Sequence, residues 1–152
     1  MSAVQIERTV PTPVDRVWAT LTDFAAYGDW IPLTAMRVDA APKRVGWGFA
    51  GKTGLGPVGF LDSMLVTRWQ PPADGGLGRF AVRKTGRVLR GWADVTVEPV
   101  ASLTRVTWRE EIVPRPELVG RMVARVTDPV THRLFAAALD KMLVAAADPR
   151  AV

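Results

Sequence analysis

Between Thr34 and Val113 the chain is interrupted about every ten residues by short stretches rich in glycine and proline. That punctuation restricts the fold more than any other feature. The breaks fall at Ala41-Pro42, Gly54–Pro57, Pro71–Gly76, Thr85-Gly86 and Glu98-Pro99. Connections this short join antiparallel strands, because a parallel pair needs a crossover of about a dozen residues or more. Strands are therefore expected near 34–40, 45–51, 58–69, 78–85, 89–98 and 104–113. The last two alternate clearly: Ala93, Val95 and Val97 face one side, opposite Val106, Trp108 and Ile112. Asp94, Thr96 and Glu98, with Arg105, Thr107 and Arg109, make the other side polar. A sheet covered on one face and wet on the other has this signature.

Helices are expected at both ends. Val4–Val10 reads as a first strand, and Thr12 and Pro13 suit the cap and first turn of a helix over 13–22, with Val14, Val17, Trp18 and Leu21 on one face. Asp23 is placed to cap a second short helix carrying Phe24, Tyr27, Trp30 and Ile31, stopped by Pro32. A long helix runs from about 116 to 147, its apolar stripe passing through Leu134, Phe135, Ala138, Leu139 and Met142. A straight helix of that length spans roughly 50 Å, so a kink or break is expected at Pro129. The 152 residues suit a single domain over 1–152 with room for an internal cavity.

Several chemistries are excluded at once. There is no cysteine and only one histidine, His132, so disulfides, thiolate or multi-histidine metal sites and cysteine nucleophiles are ruled out. No metal and no cofactor are expected. No apolar run reaches the roughly 18 residues of a membrane span and no signal core opens the chain, so the expected location is cytoplasmic. Lys and Arg number 20 against 15 Asp and Glu. Arg79, Arg83, Lys84, Arg87 and Arg90 fall in one acid-free segment, where an anionic partner would dock. Its aromatics Phe80 and Trp92 sit at strand spacing instead of forming a stacking platform, so nucleic acid is not expected.

Gly46–Thr53 matches the spacing of a phosphate loop, and Gly46, Gly48 and Gly51 match a dinucleotide fingerprint. Both motifs require a following helix. Gly54-Leu55-Gly56-Pro57 comes next instead, so the match is a coincidence of a glycine-rich hairpin. Asp62 and Glu110 are the more informative polar residues. Alternation places them among the inward positions of their strands, with Arg68 and Lys84 on the same parity. A carboxylate facing an apolar interior is costly unless paired, so each is either half of a cross-strand ion pair or an acid–base group. His132 is the third catalytic candidate.

One strand, two short helices, six strands and a long terminal helix is the order of the helix-grip fold, and the chain resembles that superfamily. The resemblance lies in Val14–Trp18 leading into Leu21–Pro32, in Phe60-Leu61-Asp62 before the strand ending Trp69–Pro72, and in Val106–Glu110. It extends to START-type lipid-binding domains and to the bacterial polyketide cyclase/dehydrase group. It implies an α+β fold, a curved seven-stranded antiparallel sheet wrapped around the C-terminal helix, with an apolar cavity between them. Tyr27 and Trp30 at the mouth, with Trp47, Phe49, Phe60, Met64, Arg68, Phe80, Trp108, Met122 and Phe135, are the expected ligand-binding residues. Trp92 has outward parity and is the weakest aromatic candidate. The expected function is binding of a small hydrophobic or aromatic ligand of lipid, quinone or polyketide type. The alternatives are a polyketide cyclase, aromatase or dehydratase enzyme and a regulatory or co-chaperone-like module, acting as monomer or homodimer.

Overall fold

The computed structural model describes residues 3–115 and 117–150, the stretch 117–128 by its backbone alone. Its elements follow the expected order. β1 (Val4–Val10) leads through α1 (Val14–Leu21) and a 3₁₀ turn (Phe24–Ala26) into the one-turn α2 (Tyr27–Trp30). Then come β2 (Thr34–Val38), β3 (Gly48–Leu55), β4 (Val58–Gln70), β5 (Gly78–Lys84), β6 (Leu89–Val100), β7 (Leu103–Pro114) and α3 (Glu117–Ala147). The seven strands form one sheet in the order β1-β7-β6-β5-β4-β3-β2, antiparallel at every pairing.

Sequence neighbours β1 and β2 thus occupy opposite edges. The two short helices must carry the chain from one edge to the other, and in doing so they cover part of the inner face. α1 packs on α3 and β6, and α2 on β2 and α3. Trp18 of α1 lies against Trp69 and Phe80, at ring separations of 5.2 and 5.7 Å. Gly78 is needed for that approach, since a Cβ there would fall 2.7 Å from a Trp18 ring carbon. Phe24 stacks on Phe49 at 4.3 Å. Tyr27 is buried, and its hydroxyl donates to the Leu21 carbonyl at 2.6 Å, satisfying an acceptor left free at the end of α1. Burial pushes the Tyr27 phenol well above its ordinary range, with Glu110 and Asp23 adding to the rise.

Two local expectations change and a third narrows. Pro13 takes the cap position of α1 without a side-chain cap bond, while the Thr12 carbonyl accepts from the Thr104 hydroxyl at 2.7 Å. α3 continues across Pro129 as one helical element, so of the kink or break expected there the break is absent. Among its described side chains the buried stripe is Ala138, Leu139, Met142, Leu143 and Ala146, and Leu134 lies outside it, 57% exposed. Among the described residues no helix is long and apolar enough to cross a membrane.

Candidate functional site

A cavity of about 210 Å³ lies between the inner face of the sheet and the helices. Its walls come from every layer: Phe24, Tyr27 and Ile31 from the short helices and their flank, Phe135 from α3, and strand residues including Phe49, Phe60, Met64, Phe80, Val82, Ala93, Trp108 and Ile112. The lining is almost wholly apolar. Among the described residues its charged members are Asp62, Lys84 and Glu110.

Three strands bring these charges together. Met64 pairs with Lys84 across β4 and β5, which places Asp62 diagonally beside the lysine. On the other side β6 presents Gly91 opposite Lys84 and Ala93 opposite Glu110. With no bulk at those two positions, the lysine reaches over β6 to the carboxylate on β7. Gly91 adopts φ +128°, and a Cβ there would fall 1.9 Å from the Glu111 carbonyl oxygen, so glycine is required. Lys84 Nζ donates to Asp62 Oδ2 at 2.6 Å and lies 3.5 Å from Glu110 Oε1. Trp108 Nε1 donates to Glu110 Oε2 at 3.1 Å. The side chains of Lys84, Asp62 and Glu110 are 5%, 14% and 6% exposed, so the cluster is nearly withdrawn from water.

Burial opposes both charges, and the outcome differs between them. For Lys84, burial pulls the pKa down, but Glu110 and Asp62 more than offset it, and the ammonium ends above its ordinary value. For Glu110, burial raises the carboxyl above its ordinary 4.5, and Lys84 and the Trp108 N–H recover only part of the rise, while Asp62 opposes them. A carboxyl raised on folding is protonated more readily in the native state than in the unfolded one. Its contribution to stability is therefore full below about pH 4.5 and lost as pH rises through the raised value. The stability of a Glu110→Gln variant minus that of wild type should increase with pH across that window, with a slope of up to about 1.4 kcal/mol per pH step of one. Chemical denaturation at pH 4 to 8 checks this. A flat difference contradicts it.

Of the residues expected to bind ligand or to act in catalysis, Tyr27, Phe49, Phe60, Met64, Phe80, Trp108 and Phe135 line the cavity, as do Asp62 and Glu110. Four do not. Arg68 is exposed because β4 carries a bulge between Val66 and Arg68, which turns Trp69 inward in its place. Trp47 belongs to the packed core, its indole donating to the Ala41 carbonyl at 2.8 Å. Trp30 packs on Tyr27 and borders a groove beside the end of α3. His132 is exposed on α3, away from the cavity. Met122 lies outside the residues whose side chains are described. Lys84 links the two carboxylates, and its inward parity was the available signal. Trp92 faces outward, bonded to Glu111 at 2.8 Å with the Arg109 guanidinium over its ring.

The basic segment is divided by the same alternation. Lys84 turns into the cavity, and Arg79 makes two bonds to Asp94 at 3.0 and 2.8 Å. Arg83, Arg87 and Arg90 stay exposed. The glycine-rich match at Gly46–Thr53 runs into strand β3, followed by the Gly56-Pro57 turn instead of a helix.

The profile of the family described as "Polyketide cyclase / dehydrase and lipid transport" matches residues 1–147. The chain belongs to that family. Solved structures with the same helix-grip fold extend the comparison. A hypothetical protein of Helicobacter pylori superposes with a TM-score of 0.77 at 17% identity, over 95% of this chain and 88% of that one. A Thermus thermophilus protein gives 0.73 at 15%, over 97% and 100%. The Zhui aromatase/cyclase from Streptomyces sp. R1128 gives 0.66 at 18%, over 99% of both chains. Identities this low establish the fold alone. No curated protein matches the sequence.

Proposed function

We propose that this member of the polyketide cyclase/dehydrase and lipid transport family binds a small, largely apolar ligand in the cavity, with Asp62, Lys84 and Glu110 as its polar anchor. The observation that carries this reading is the cavity itself, about 210 Å³ of apolar space holding a buried, paired charge cluster. Binding sites for small molecules combine apolar walls with a few placed polar groups in this way. An engineered apolar cavity of about 150 Å³ suffices for benzene, so this one accommodates a larger ring system.

A second reading is a proton-transfer enzyme of cyclase or dehydratase type, favoured by the raised Glu110 carboxyl beside the Lys84 ammonium. In such a site Asp62 would take the proton from the α-carbon, and the freed electron pair would form the C=C bond as the C–O bond breaks. Glu110 would give its proton to the departing hydroxyl to release water, and Lys84 would hold the oxygen of the adjacent carbonyl.

The test is titration with N-phenyl-1-naphthylamine, a neutral probe whose fluorescence rises in apolar surroundings. Saturable one-to-one binding with micromolar affinity or better is expected. Failure to saturate overturns the reading. For a β-hydroxy ketone that displaces the probe, recovery at unchanged mass supports binding alone, whereas loss of one water supports the enzyme.

A further inference from the structure

The floor of the cavity leaves one strong acceptor unused. Asp62 Oδ2 is bound to Lys84, and both oxygens of Glu110 are engaged, by Lys84 and by the Trp108 N–H. Asp62 Oδ1 is buried and has no hydrogen-bond partner among the described residues. A buried charged acceptor without a donor is costly, so the group that enters here is selected by its ability to donate.

Charge narrows the choice. A carboxylate or phosphate head brings no donor and adds a further negative charge beside two carboxylates. An ammonium head would be desolvated next to the Lys84 ammonium, which lies 2.6 Å from the other oxygen of the same carboxylate. A hydroxyl meets neither objection. It donates to Oδ1, and its own oxygen accepts the third N–H of Lys84, which otherwise reaches only the Met64 sulfur at 3.8 Å. The cavity walls include the aromatic rings of Phe49, Phe60, Phe80 and Trp108, and the space, partly open to solvent, suits a fused pair of rings with room for a further substituent at its mouth.

We infer that the cavity selects a neutral aromatic compound whose polar end is a hydroxyl group, seated with its O–H on Asp62 Oδ1 and its oxygen toward Lys84. Lipids with an anionic head are excluded from this position. The inference rests on the cavity being a ligand site, as proposed above.

Displacement of N-phenyl-1-naphthylamine at pH 7 by four compounds of one bicyclic frame tests it. 2-Naphthol should bind at least about ten-fold more tightly than naphthalene or 2-methoxynaphthalene, which cannot donate. It should also bind at least about 100-fold more tightly than 2-naphthoate, which is anionic. In Asp62→Asn protein, Lys84 holds the amide oxygen and the NH₂ takes the place of Oδ1, so an acceptor becomes a donor. The 2-naphthol preference should fall to within about three-fold, and 2-naphthoate should gain, in protein whose melting transition and near-ultraviolet circular dichroism confirm folding. Equal binding of 2-naphthol and 2-methoxynaphthalene, or tighter binding of 2-naphthoate, overturns the inference and leaves the cavity reading intact. If none of the four competes although the probe binds, the inference falls. If the probe itself does not bind, both readings fall.

Discussion

Lys84→Met protein is expected to be less stable than wild type by about 3–5 kcal/mol at neutral pH, the usual cost of removing one partner from a buried ion pair. For a chain of this size that is a fall of roughly 6–20 °C in melting temperature. Methionine fills nearly the same volume, so packing is conserved and the loss is electrostatic. Two carboxylates, Asp62 and Glu110, would remain in an apolar interior with their common counter-ion gone. The defect should shrink as pH falls, because Glu110, already raised by burial, protonates more readily without its counter-ion. It should also be largely reversed in the triple variant Asp62→Asn, Lys84→Met, Glu110→Gln, because removing a whole buried charge cluster is often neutral or better. Thermal melts of the three proteins check this. A Lys84→Met protein within 1 kcal/mol of wild type, taken as an order-of-magnitude threshold, would show that the cluster is hydrated and not buried.

Val82→Trp should have the opposite pattern, with binding lost and stability kept. Val82 is buried and lines the cavity between Phe80 and Lys84 on the inner face of β5. In a filled core the larger ring would cost about 1–3 kcal/mol of overpacking. Here it projects into open space, and cavity filling commonly adds about 0.5–2 kcal/mol. The melting temperature of the free protein should therefore hold or rise. Affinity for N-phenyl-1-naphthylamine should drop by at least about 100-fold, close to 2.8 kcal/mol. Unimpaired binding would place the probe elsewhere, and a large fall in stability would mean that the interior is already packed at this position.

The fold could be read from the sequence because turn punctuation and alternation are local signals. Strands β4 and β5, for example, begin at the expected residues. The inward parity of Asp62, Lys84 and Glu110 was legible for the same reason. Their meeting was not, since it depends on the registers Met64↔Lys84 and Ala93↔Glu110 across connections whose geometry alternation does not specify. Arg68 shows the other limit. One extra residue at Thr67 reverses the parity of everything after it, and a bulge leaves no mark in the pattern of apolar residues. Trp30 and Trp47 failed as cavity residues because composition identifies an aromatic side chain but not the packing layer it joins.

The space beneath α2 and α3 is the proposed ligand site. The most direct measurement is a ¹H–¹³C spectrum of methionine methyl groups during titration with N-phenyl-1-naphthylamine. Met36 and Met64 both line the cavity, and an aromatic ring seated there shifts nearby methyl signals strongly. Both signals should move and saturate together with the fluorescence change. Saturating fluorescence with the Met36 and Met64 signals unmoved would put the probe on another surface, and the cavity would not be its binding site.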